Sequence, residues 1–200
     1  MDSDDAAGDG RPDDDEDGTN GSSPQATEAF IRRHLDRYAE TQGVLPERLQ
    51  SFGDRYREQG YLTREQLYEI AYESSTRSAH YVEWNTKERC REVTANVLAV
   101  DGDFSAMRLL TGLSGFKAPT ASCVLTALDP DQHAVIDTRV WASLDRLDRL
   151  DGRKESFDAD DYVTTIEPIR DIAAETGHTV AEVGYALFAH DAHVREGTLH

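Results

Sequence analysis

Residues 109–144 read LLTGLSGFKAPTASCVLTALDPDQHAVIDTRVWASL, and this stretch decides the fold. A helix-spaced apolar run reaches Leu113. Ser114, Gly115, Phe116, Lys117 and Ala118 then make a tight turn. Pro119 suits the first position of a following helix, where its missing N–H costs nothing, and Ala118, preceding a proline, is steered away from helical backbone. The spacing predicts a second helix over Pro119–Leu128, a brief extended piece over Ala134–Ile136, and a third helix beginning at Asp137. Backbone N–H groups near Gly115 and at Thr120 and Ala121 would then point at one place. A helix N-terminus of that kind suits a phosphate without any basic side chain. Asp137 follows Gly115 by 22 residues, at another helix start. A carboxylate there can be held ionised by the helix dipole, and it equally suits an ordinary N-cap.

Outward from this stretch the chain reads as helix after helix. Helical spacing marks Thr27–Gln42, stopped by Gly43, and Pro46–Gln59, stopped by Gly60. Thr63 and Gln66 form a capping-box start ahead of Leu67, Ile70 and Ala71. Ser74–Ser78 is a polar loop, and Lys87–Val100, Phe104–Leu113, Asp137–Leu147, Tyr162–Thr176 and Val180–Ala189 are further helices. No stretch alternates with a period of two, so the fold class is all-α. One compact unit or two lobes meeting at a cleft would both fit.

The chain has 200 residues and a formal charge of −18. Residues 1–24 hold nine acids, one base, and no aromatic, Val, Ile or Leu, which predicts a disordered acidic tail ahead of a domain over 25–200. Over the whole chain Asp outnumbers Glu 23 to 16 and Arg outnumbers Lys 18 to 3, a balance suited to a salt-adapted, halophilic cytoplasm. Charge then says more about the solvent than about partners. No apolar run is long enough to span a bilayer and no signal-like N-terminus is present, so a cytoplasmic protein with no membrane partner is expected. With only Cys90 and Cys123, a disulfide framework and any four-cysteine metal or iron–sulfur site are excluded. Against the acid-rich background, Phe104–Leu128 is 25 residues without Asp or Glu, yet carries Arg108 and Lys117. A DNA-facing hairpin and a buried hairpin both account for that window.

The turn Leu113-Ser114-Gly115-Phe116-Lys117-Ala118-Pro119-Thr120-Ala121, the apolar helix after it, and Val135-Ile136-Asp137-Thr138-Arg139-Val140-Trp141 together resemble the helix-hairpin-helix and aspartate module of the DNA glycosylase superfamily that includes endonuclease III. The glycine-to-aspartate spacing matches without a gap, and Ala127–Trp141 is similar to the 8-oxoguanine glycosylase branch. The resemblance implies a helix-hairpin-helix glycosylase-like helical fold and hydrolysis of an N-glycosidic bond in double-stranded DNA, with the target base flipped into a pocket. It implies Asp137 as the catalytic carboxylate, and Ser114, Gly115, Phe116, Lys117, Thr120 and Ala121 as the DNA-binding turn. Lys117 stands where the family has a second turn glycine. Pro119 stands where bifunctional members carry a nucleophilic lysine, so a monofunctional enzyme is implied. A non-catalytic helix-hairpin-helix DNA-binding or interaction module is the alternative, and a fold that survives with no DNA role is a third.

Tyr81, Trp84 and Trp141, with Phe116, are candidates to line a base pocket or wedge into the duplex, and each also suits core packing. Ser74–Ser78 could hold a phosphate or be a plain polar loop. The seven histidines show no metal-ligand spacing, and His190 and His193 read as a solvated helix end. No metal and no cofactor are expected, and the protein is expected to act as a monomer.

Overall fold

The computed structural model describes residues 25–42 and 44–197. In chain order the helices are α1 Glu28–Gln42, α2 Val44–Gln59, α3 Arg64–Ser74, α4 Lys87–Asn96, α5 Asp103–Thr111, α6 Ala118–Leu128, α7 Thr138–Arg146, α8 Ala159–Thr176 and α9 Val180–Gly197. A 3-10 helix, Ala79–Trp84, lies between α3 and α4. No strand occurs among the described residues, so the protein is all-α. The acidic tail over 1–24 and Gly43 as a helix stop lie outside the described residues.

The organising element is α6. Every residue of it except Pro119 is buried, and α2, α3, α5 and α8 pack around it. A helix apolar on all sides belongs at the centre of a core. Over α6, then, the absence of acid reports burial and not a DNA-facing surface. One large apolar core draws on residues from Ala26 to Leu187, and a small second cluster gathers Tyr38, Ala181, Tyr185 and Ala189.

Several boundaries differ from the sequence expectation, each for a local reason. α6 begins at Ala118, with Lys117 as its cap, so Pro119 takes the second helical position and Ala118 is helical despite preceding a proline. The 3-10 helix had no apolar period to announce it. α4 stops at Asn96, and the chain turns over Val97–Ala99, which leaves Leu98 exposed. α8 starts earlier, at Ala159, because Asp158 and Asp161 make a reciprocal capping box. α9 continues eight residues past Ala189 to Gly197.

That extension corrects the reading of His190 as a solvated end. His190 is buried against Phe30 and His34, with ring centroids 4.9 and 5.0 Å away, and its Nδ1 lies 2.6 Å from Ser143 Oγ. Next to it Asp191 is fully buried and pairs with Arg146 at 2.5 Å and Arg195 at 2.6 Å. His193 is exposed. Polar partners, not apolar spacing, carry this end of α9 through the protein.

Candidate functional site

The turn between α5 and α6 and Asp137 at the start of α7 lie on two cavities that share Ser74 and Pro119 as walls. The turn is clamped from the side by the 3-10 helix. Gly115 has φ +89°, and a Cβ there would lie 3.0 Å from the Val82 nitrogen and 3.2 Å from the Ser78 carbonyl, so both conformation and space demand glycine. Ser114 N–H donates to Asn85 Oδ1 at 2.9 Å, and Asn85 Nδ2 donates back to the Ser114 carbonyl at 3.0 Å.

This clamp narrows the expected anion-binding set. Ser114 N–H is already bonded to Asn85, Phe116 N–H donates to the Leu113 carbonyl at 3.2 Å, and Ala121 N–H donates to the Lys117 carbonyl at 2.9 Å. The Phe116 ring is buried, and the Thr120 hydroxyl is 3.0 Å from Ser74 Oγ. Ser114, Phe116 and Ala121 are therefore corrected out of the set of free amides. The first turn of α6 leaves the N–H groups of Lys117, Ala118 and Thr120 without intrahelical acceptors. These three residues, with the exposed Lys117 side chain, line an open depression of about 610 Å³ whose other walls include Arg108 and the acidic Glu155 and Asp158.

Asp137 caps α7. Its Oδ1 accepts from Arg139 N–H and Val140 N–H, both at 2.9 Å, which is the ordinary capping role. The residue is half-buried, and it lines a cavity of about 210 Å³ whose walls include Tyr38, Pro119, Cys123, Tyr185 and Phe188. The cap and the cleft thus coexist. Burial pushes the Asp137 carboxyl above the ordinary carboxylate range, while the two amides and the Arg139 charge pull it back. Burial also raises the Tyr38 and Tyr185 hydroxyls and pushes the Cys123 thiol up to about 12, so all three stay neutral. Glu73, the other carboxylate on this wall, is ion-paired with Arg48.

One hydrogen-bond bridge joins the hairpin to the aspartate. The fully buried Ser122 Oγ donates to the Pro119 carbonyl at 2.7 Å and accepts from Ile136 N–H at 3.0 Å. From the far side, Arg170 holds Asp103 through two bonds of 2.6 and 2.9 Å and also reaches the Gln132 carbonyl. Gly184 of α9 lets the connector approach closely, since a Cβ there would meet the Ala134 Cβ at 2.8 Å.

A second cavity, of about 290 Å³, shares the Phe188 wall with the first. Arg37 of α1, Arg139 of α7 and His193 of α9 line it. The Arg139 guanidinium lies 5.0 Å from the Phe188 ring centroid. Neither Arg37 nor Arg139 forms an ion pair among the described residues, although the chain carries 39 acids. The sequence offered no local signal for Tyr38, Tyr185, Phe188, Arg37 or Asn85, because distant segments bring them here.

The aromatic candidates divide. Trp84 is 72% exposed and Tyr81 38% exposed, on the 3-10 helix beside the hairpin turn, with ring centroids 4.7 Å apart. Trp141 is corrected out: it is buried, its Nε1 donates to the Gly152 carbonyl at 2.9 Å, and Phe157 meets its ring edge-on. It anchors α7 to the core. No His, Cys, Asp and Glu grouping suited to a metal occurs among the described residues, and none of their helices is long and apolar enough to cross a membrane.

No family model matches the chain, and no curated protein matches it. Among solved structures, it is similar to the crystal structure of Methanocaldococcus jannaschii 8-oxoguanine glycosylase/lyase in complex with 15mer DNA containing 8-oxoguanine. The identity is 19%, the match covers 89% of this chain and 84% of that one, and the TM-score is 0.47.

Proposed function

We propose that the protein is a monofunctional DNA glycosylase-like base-excision protein that acts, as a single chain, on a base flipped out of double-stranded DNA. The observation that carries this reading is the placing of Asp137 on a mostly apolar cavity walled by aromatic rings and by Pro119 of the hairpin. An apolar cavity of about 150 Å³ accepts a benzene-sized molecule. At about 210 Å³, this one has room for a heterocyclic base. Asp137 Oδ1 is held by two amides, which fixes the carboxylate in place. Its charge would stabilise the oxocarbenium-like sugar as the N-glycosidic bond breaks, and would orient the attacking water. Tyr38, Tyr185 and Phe188 would pack on the extruded base. Lys117 and the turn amides would hold one phosphate, and Arg37 and Arg139 another. Pro119 has no amine for a Schiff base, so the sugar–phosphate backbone would be left whole. The acid-rich, lysine-poor composition supports work at high ionic strength.

The test is base release. Purified protein, incubated with a panel of duplexes each bearing one damaged base, should free the base from at least one and leave an unbroken abasic strand. No release from any duplex would refute the enzymatic reading. The second reading, a non-catalytic helix-hairpin-helix module, draws on Asp137 serving as an ordinary cap and on burial favouring its neutral form. Duplex binding without base release would select it.

A further inference from the structure

We propose that Asn85 is a positioning residue that locks the exposed Tyr81–Trp84 pair to the hairpin turn, so that gripping a phosphate and inserting an aromatic ring into the duplex occur as one event. This rests on the reading that the hairpin binds DNA.

Asn85 directly follows Trp84 and ends the 3-10 helix, with its own N–H donating to the Val82 carbonyl at 3.1 Å. Its buried side chain faces both ways. Nδ2 donates to Val82 and to Ser114, each at 3.0 Å, and Oδ1 accepts from Ser114 N–H at 2.9 Å. The two bonds to Ser114 take both backbone groups of the residue before Gly115. Two contacts reinforce the joint. The absent Cβ of Gly115 leaves room for Val82 and Ser78 at 3.0–3.2 Å, and Arg64 reaches the Glu83 and Asn85 carbonyls at 3.4 Å. The 3-10 helix is thus tied to the turn by two hydrogen bonds and by close backbone packing at Gly115. An indole that is 72% exposed beside such a joint is not part of the core. Large apolar rings held rigidly at a DNA-facing surface unstack base steps and stack on the bases they displace. A ring on a loose segment would lose much of that gain to its own ordering.

The experiment follows Trp84 by intrinsic fluorescence as the protein is saturated with a duplex carrying 2-aminopurine at the target site. Trp141 is buried and reports folding, and Trp84→Leu assigns the signal. In the wild type, Trp84 emission should be quenched and 2-aminopurine emission should rise. Asn85→Ala removes three hydrogen bonds within the protein and leaves Lys117 untouched, so duplex affinity should stay within about tenfold. At saturation it should lose most of both signals. Asn85→Asp, which keeps the acceptor for Ser114 N–H and loses both donors, should fall between, and it serves if the alanine variant folds poorly. Full signal amplitude at saturation in both variants would overturn the proposal and leave Asn85 a structural residue. No Trp84 quenching in the wild type would overturn it too. Loss of base release with quenching intact would instead count against the enzymatic reading alone.

Discussion

Ser122→Ala should cost more than its size suggests. The serine hydroxyl is the acceptor for Ile136 N–H, and both residues are fully buried. Alanine fits the space but leaves that N–H unpaired away from water, which costs about 1–3 kcal/mol. For a domain of this size each kcal/mol moves Tm by about 2–4 °C, so the middle of that range corresponds to roughly 4–8 °C. Function should suffer in one direction only. Ile136 precedes Asp137, and the same hydroxyl holds the Pro119 carbonyl of α6, so the variant loosens the aspartate relative to the start of α6. Single-turnover base release should slow by tenfold or more, since small misplacements of a reacting group are costly, while duplex affinity stays close to wild type. Thr126→Val is the control, because its hydroxyl bonds only the Ser122 carbonyl within the same helix. Thermal melting, duplex titration and single-turnover release would be measured on all three proteins. A Ser122→Ala variant no less stable than Thr126→Val, with unchanged release, would refute the bridge as the link between hairpin and aspartate.

Other outcomes follow from the same geometry. His34 is held down to about 3 and His190 to about 4, mainly by burial, so between roughly pH 6.5 and 4 the unfolded chain binds protons that the native protein refuses. Stability in denaturant titrations should therefore fall as pH drops through that window, and replacing both histidines by glutamine should flatten the fall. If Asp137 must be ionised for chemistry, base release should decline on acidification around an apparent pKa above the ordinary carboxylate value, since burial raises it. A profile flat from pH 7 to 4 would contradict this. Replacing Arg37 and Arg139 together by alanine should weaken duplex binding and reduce the log K against log salt slope by about 0.9 for each phosphate that is no longer neutralised. An unchanged slope would remove them from the interface. Gly115→Ala should destabilise the turn, because it combines a φ of +89° with a 3.0 Å approach to Val82. A melting temperature equal to wild type would show that the turn tolerates a side chain.

What was legible in the sequence was what local pattern controls. Helix spacing placed the nine helices of the described residues, and Asp137 as a cap was readable because Asp suits that position and a periodic run follows. The hairpin turn was readable for the same reason, through Gly115 and Pro119. What depends on distant partners was not. The amides of Ser114 and Phe116 looked free until Asn85 and Leu113 supplied acceptors. Trp141 and Trp84 are alike as residue types, yet one packs on Phe157 and the other faces solvent. The acid-free window had two explanations in the sequence, and the burial of α6 decides between them over that helix. His190 looked like a frayed end because its neighbours in the core, Phe30 and Ser143, lie far away along the chain.

On the proposed function Asp137 does chemistry as well as capping α7. Asp137→Asn tests it most directly, because asparagine caps nearly as well and keeps an acceptor for Arg139 and Val140 N–H while removing the charge. Base release from a lesion-bearing duplex, measured at single turnover beside duplex affinity and melting temperature, should drop by about 100-fold or more with the other two little changed. Release at the wild-type rate from the asparagine variant would contradict the account.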